Sequence, residues 1–210
     1  TGPISCTINV CAFGAPLTVG KIMALLPIVT LPDPSLRKIS QPVDQIDAEI
    51  HRLLDDMLET MYAAPGIGLA AIQVAVPKRI VVIDIGKTEE ERSPLFLINP
   101  EITWASEELS LYQEGCLSVP DYYEDVKRPA TVQVRHLNRE GQLVEFKAEG
   151  LLATVVQHEL DHLEGGLFID HLSRLKRDRV MKKFNKAARI DEIITQRRRE
   201  IEHQSEEAGV

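Results

Sequence analysis

The stretch GLLATVVQHELDHLEGG, residues 150–166, decides how the chain reads. Leu151, Leu152, Val155, Val156, Leu160 and Leu163 recur at spacings that fit one buried helix face. Gly165 and Gly166 supply the stop, because glycine takes the left-handed conformation at a helix C-terminus without a Cβ penalty. Inside this pattern sits His158-Glu159-Leu160-Asp161-His162, an H-E-x-x-H arrangement. At about 100° per residue, two histidines four apart lie roughly 40° apart around the axis and one turn along it. Imidazoles so placed converge on one metal ion, with Glu159 beside them as a general base. An exposed helix carries such a trio by chance as readily as by function. The apolar residues on both sides imply burial, and a buried His-Glu-His trio with no cation leaves polar groups unsatisfied. That favours a metal.

Outward from this helix the pattern changes to strands. Residues 131–137, TVQVRHL, alternate apolar and polar side chains, 138–141 supply turn residues, and 142–148, QLVEFKA, alternate again. That predicts a β-hairpin. RIVVIDI at 79–85 and LFLIN at 95–99 read as buried strands. Earlier, Pro42 leads a helical pattern of apolar residues from Val43 to Met61, which Pro65 and Gly66 end. Strands gathered before a central helix predict an α+β fold and not alternating βαβ units.

A catalytic metal site needs a third protein ligand and one open position. No third histidine follows at the spacing of the H-E-x-x-H-x-x-G-x-x-H proteases. Cys116, in Glu114-Gly115-Cys116-Leu117-Ser118, is available, although position alone reads equally as a small core residue. Residues 66–73, GIGLAAIQ, combine small residues that let backbone approach closely with the polar amide of Gln73. They lack the third glycine or the lysine of a phosphate-binding loop.

Taken in order, GxGLAAxQ, EGCLS and QHExDHLxG resemble peptide deformylase from about Met23 through the basic segment near the C-terminus. The resemblance implies antiparallel β-sheets packed around a central HExxH helix, followed by a C-terminal α-helix. It implies Cys116, His158 and His162 as metal ligands, Glu159 as general acid and base, and Gln73 with the Leu117 backbone N–H facing the developing oxyanion. Glu114 and Gln157 match positions that would support the ligands. The implied reaction removes the N-formyl group of an N-formyl-methionyl peptide and releases formate, with Fe2+ as the metal and Ni2+, Co2+ or Zn2+ able to stand in. Ile67, Gly68, Leu151, Thr154 and Val155 would line the apolar slot for the methionine side chain. Ile72 and His171 depart from the family, which often has asparagine and arginine there; the departures put substrate-side details in question.

Charge divides the chain. Residues 174–199 hold eleven Lys and Arg against three Asp and Glu, whereas the whole chain carries a net charge of −8. An acidic body with one basic segment argues against general nucleic-acid binding and marks that segment for a polyanion, with a solvated helix face as the plain alternative. In the resembling family the helix is thought to reach the ribosome. No apolar run is long enough to span a bilayer, so no membrane contact is expected. The three cysteines (Cys6, Cys11 and Cys116) suit a reducing compartment, and a cytoplasmic monomer is expected. The expected organisation is an N-terminal extension at 1–22, a catalytic domain at 23–173, and a basic helix with an acidic tail at 174–210. Two other functions stay open at this level: an HExxH endopeptidase, and a ribosome-binding or structural metal protein that keeps the fold without activity.

Overall fold

The computed structural model describes residues 24–208, with side chains through residue 200. The predicted extension at 1–22, with Cys6 and Cys11, lies outside the described residues. The elements are α1 (Ala48–Ala63), β1 (Gly68–Ala70), β2 (Ile80–Ile83), β3 (Leu95–Ala105), β4 (Leu109–Cys116), β5 (Val119–Pro129), β6 (Thr131–Leu137), β7 (Leu143–Glu149), α2 (Gly150–Leu163) and α3 (Arg174–Ala208). A five-stranded antiparallel sheet has the order β1-β2-β3-β6-β7, and β4 pairs with β5 in a separate two-stranded sheet. This is the expected α+β class.

The two faces of the large sheet explain why RIVVIDI carries no polar alternation. Val81 and Ile83 pack with α2 residues Val155, Val156 and Leu160, while Ile80 and Val82 pack with α1 residues Ile50, Leu54, Met57 and Met61. A strand covered on both sides must be apolar throughout, and all four residues of β2 are buried. A third cluster joins Leu36, Val119, Val126, Phe168 and Ile169 to Val180 and Phe184 at the start of α3.

Two boundaries move from the sequence expectation, and one hairpin has no pattern that announces it. Helix α1 begins at Ala48, not near Pro42, because the Asp47 side chain accepts from the N–H groups of Glu49 and Ile50 and caps it there. The residues before it form no helix, with Val43 held through both backbone groups by the Asn99 amide. The expected hairpin at 131–148 is present as β6–β7, but the longer β4–β5 hairpin has no clean alternation in its sequence. Helix α3 runs to Ala208, so the acidic stretch after Arg199 continues the helix.

Candidate active site

Three elements bring the predicted residues together. Cys116 ends β4, Gln73 lies in a 3-10 turn (Ala71–Val74) directly after β1, and His158, Glu159 and His162 share one face of α2. The Cys116 sulfur is 3.2 Å from His162 Nε2, and Cys116, His158 and His162 place one ligand atom each within 4.8 Å of one another. A cleft of about 470 Å3 opens beside them, lined by Gln73, Cys116, Leu117, His158 and Glu159. Ile67, Gly68, Leu151, Thr154 and Val155 line the same cleft. His162 is fully buried and is not among the lining residues.

Each chemical group is held in a defined orientation. Gln73 Oε1 accepts from the Ala70 N–H at 2.8 Å, which turns Nε2 toward Ser118 Oγ at 3.2 Å and Cys116 Sγ at 3.5 Å. The strap at 24–31 fastens the two sides, since Val29 N–H donates to the Gln73 carbonyl and Leu31 N–H to that of Ser118. His158 Nδ1 donates to Glu114 Oε2 at 2.8 Å, leaving Nε2 as the remaining ring nitrogen. Phe168 stacks on the His158 ring at 5.8 Å between centroids. Gly68 lies against Glu159 so closely that a Cβ there would come within 2.4 Å of Oε1.

The electrostatics favour a cation. Burial works against charge on His158, but the neighbouring Cys116 sulfur and Glu114 outweigh it and hold the imidazole well above its ordinary range. His162 is pushed well below that range by burial and by the His158 charge. Glu159 is pushed up to about 7, by burial first and by the Glu114 and Asp161 carboxylates, against His158 and Arg128. Such a carboxyl both takes and releases a proton near neutrality. Glu159 Oε2 and His162 Nδ1 are buried with no hydrogen-bond partner among the described residues. One cysteine sulfur and two imidazoles, with a glutamate beside them and a carboxylate behind one ring, suit a divalent transition metal.

Some assignments need correction, and some residues were missed. Gln157 does not support a ligand: its Nε2 donates to the Pro129 and Ala153 carbonyls and ties α2 to β5. Neither Ile72 nor His171 lines the cleft, so these departures do not touch its walls. Ile72 is a core residue, and His171 bonds Asp161. Sequence reasoning missed Arg128, whose buried guanidinium joins Glu114 to Asp161, and Tyr112, Tyr122 and Tyr123 along the cleft. All four lie on the β4–β5 hairpin, the element whose pattern was not legible.

Comparison with known proteins agrees with this geometry. The sequence profile of the family described as Polypeptide deformylase matches residues 25–178. A peptide deformylase of Phenylobacterium zucineum is 58% identical over 167 residues, covering 80% of this chain and 99% of the relative. One from Rhizobium meliloti is 59% identical over 167 residues, at 80% and 96% coverage. The crystal structure of peptide deformylase from Ehrlichia chaffeensis superposes with a TM-score of 0.75 at 42% identity, covering 80% of this chain and 99% of that one. The chain belongs to the peptide deformylase family, hydrolases that remove the N-formyl group from nascent polypeptides.

Proposed function

We propose that Cys116, His158 and His162 hold one metal ion and that Glu159, Gln73 and the Leu117 backbone N–H act beside it on an N-formyl-methionyl peptide. The observation that carries this reading is the convergence of the thiol and two imidazoles within 4.8 Å, with Glu159 adjacent on the same helix. When bound, the ion supplies Lewis-acid polarisation of the formyl carbonyl and lowers the pKa of a coordinated water. Glu159 accepts the proton of the attacking water and returns it to the departing amine. Gln73 Nε2, fixed by its bond from Ala70, and the Leu117 N–H face the oxygen on which negative charge builds. Ile67, Gly68, Leu151, Thr154 and Val155 exclude water around the methionine side chain.

We assign Fe2+ as the resident ion, with Ni2+, Co2+ or Zn2+ able to replace it, because a Cys-His-His donor set does not select among them by softness. The catalytic unit is assigned to residues 23–173 together with the first turns of α3, which its core includes. The reading extends to a cytoplasmic monomer that meets its substrate at the ribosome. For the last point the support is α3: Arg179, Lys182, Lys183, Lys186 and Arg189 cluster on its surface, and Ile190, Ile193 and Ile194 stay uncovered beyond them. Among the described residues no helix is long and apolar enough to cross a membrane.

The test is metal analysis of anaerobically purified protein combined with formate release from a formyl-Met peptide. Cys116→Ala should deplete the metal. Glu159→Gln should keep it while turnover falls by about 10²–10⁴-fold, the usual contribution of a positioned acid–base group. Retained metal and near wild-type formate release in both variants would overturn the assignment.

A further inference from the structure

A chain of charged hydrogen bonds runs from the protein surface to the back of His158. Its outer end is His171, 41% exposed on its side chain, with Nε2 2.7 Å from Asp161 Oδ2. The same oxygen accepts from Arg128 Nη1 at 2.8 Å. Arg128 is only 4% exposed and grips both oxygens of Glu114, Nε to Oε1 at 2.6 Å and Nη2 to Oε2 at 3.0 Å. Glu114 Oε2 accepts from His158 Nδ1 at 2.8 Å. Ionised carboxylates only accept, so every link has a fixed direction and His171 carries its proton on Nε2. His171 therefore offers Arg128 Nη1, 3.4 Å away, no acceptor, and among the described residues its one strong link is to Asp161.

We infer that His171 is a positioning residue for His158, acting through Asp161, Arg128 and Glu114. The inference rests on the reading of His158 as a metal ligand. A buried guanidinium between two carboxylates takes its place from both. Glu114 is almost fully buried, whereas the Asp161 side chain is 28% exposed and open to competition from water. Asp161 is thus the loose end of the chain, and His171 is what braces it. The brace is itself held: His171 closes the short 3-10 turn Phe168–His171, whose Asp170 pairs with Arg37 and accepts from the Leu167 N–H. That turn also supplies Phe168, stacked on the His158 ring. One four-residue turn therefore acts on His158 twice, at its face directly and at Nδ1 through the charged chain.

The experiment measures the Co2+ dissociation constant of the full chain by chelator competition, and the melting temperature of the metal-free protein. Removing a partner of a ligating histidine typically weakens metal binding 10–100-fold. A residue three links further out should cost less, and His171→Ala is expected to weaken Co2+ binding about 3–10-fold with the metal-free melting temperature unchanged. His171→Arg again presents donors to Asp161 and should restore binding. Wild-type affinity in His171→Ala would overturn the inference. So would an affinity loss that His171→Arg does not repair, or one that merely follows a drop in metal-free melting temperature. His158→Ala separates the two readings: loss of Co2+ there alongside normal binding in His171→Ala rejects only the role of His171, whereas retained Co2+ in His158→Ala rejects His158 as a ligand.

Discussion

Gly68 shows how one missing side chain sets the position of Glu159, the proposed acid–base group. A Cβ at that position would lie 2.4 Å from Glu159 Oε1, 3.0 Å from its Cδ and 2.9 Å from Val155 Cγ1. The Glu159 carboxylate is the far end of a flexible side chain and moves aside readily, but the β-branched Val155 must give as well. For catalysis the same shift is expensive, because displacing a reacting group by about 1 Å costs on the order of 10²-fold in rate. Gly68→Ala is therefore expected to lower kcat by about 10²-fold and to cost about 1–3 kcal/mol of stability, while metal stays bound. Steady-state kinetics beside a melting curve checks this; an unchanged kcat would show that Glu159 tolerates the shift.

At the scale of elements, the end of α1 is joined to the turn after β2 by Tyr62 and Asp84. Tyr62 Oη donates to Asp84 Oδ2, and Asp84 Oδ1 accepts from the N–H groups of Gly86 and Ser93. Burial alone would raise the Asp84 carboxyl, but the Tyr62 bond and these N–H groups outweigh it and hold it below the usual carboxylate range. Burial, with Asp84 assisting, pushes Tyr62 up to about 12. A carboxyl whose folded pKa is depressed contributes stability above its unfolded value of about 3.9, and that stability is lost as pH falls toward the folded value. Tyr62→Phe removes the strongest of the bonds that depress it. The variant should be less stable by about 1–3 kcal/mol at pH 7, and its difference from wild type should shrink as pH drops below about 4. Denaturant midpoints measured between pH 7 and pH 3 decide it, and a difference that stays constant with pH would refute the account.

The molecule as a whole is an acidic body with a basic helix only partly docked on it. Helix α3 has 35 residues, roughly 52 Å at 1.5 Å per residue. Val180 and Phe184 are buried against the core, and Lys176 pairs with Glu124 at 2.9 Å, while every residue from 191 to 200 is exposed. Deleting the chain after Ser173 would remove core residues as well as charge. Phe184→Ala alone should cost about 3 kcal/mol, read as a shift in the denaturation midpoint. The cleaner test of partner binding reverses charge and spares the core. Lys182→Glu with Lys186→Glu, both exposed, should leave hydrolysis of short formyl-Met peptides intact and weaken ribosome binding. Its salt dependence should flatten as well, since fewer phosphates are neutralised. Equal and equally salt-sensitive binding by the double variant would exclude α3 as the contact.

Local sequence by itself determined the parts of this protein whose physics is local. The helical period and glycine stop fixed α2, and with it the placement of His158, Glu159 and His162 on one face. Alternation fixed β6–β7, and an unbroken apolar run fixed β2 as a strand covered on both sides. Cys116 and Gln73 needed the resemblance of whole motifs, because a lone cysteine or glutamine has no periodicity to betray it. Only the tertiary structure decided the support behind the site. The β4–β5 hairpin alternates in exposure, but its inward positions include the polar Ser110, Glu114, Glu124 and Arg128, so no apolar alternation marks Glu114 or Arg128 as buried. They are buried because Glu114, Arg128, Asp161 and His158 satisfy one another between the β4–β5 hairpin and α2, some thirty to forty-five residues further along the chain. That pairing depends on where the chain returns to in space, which no local pattern encodes.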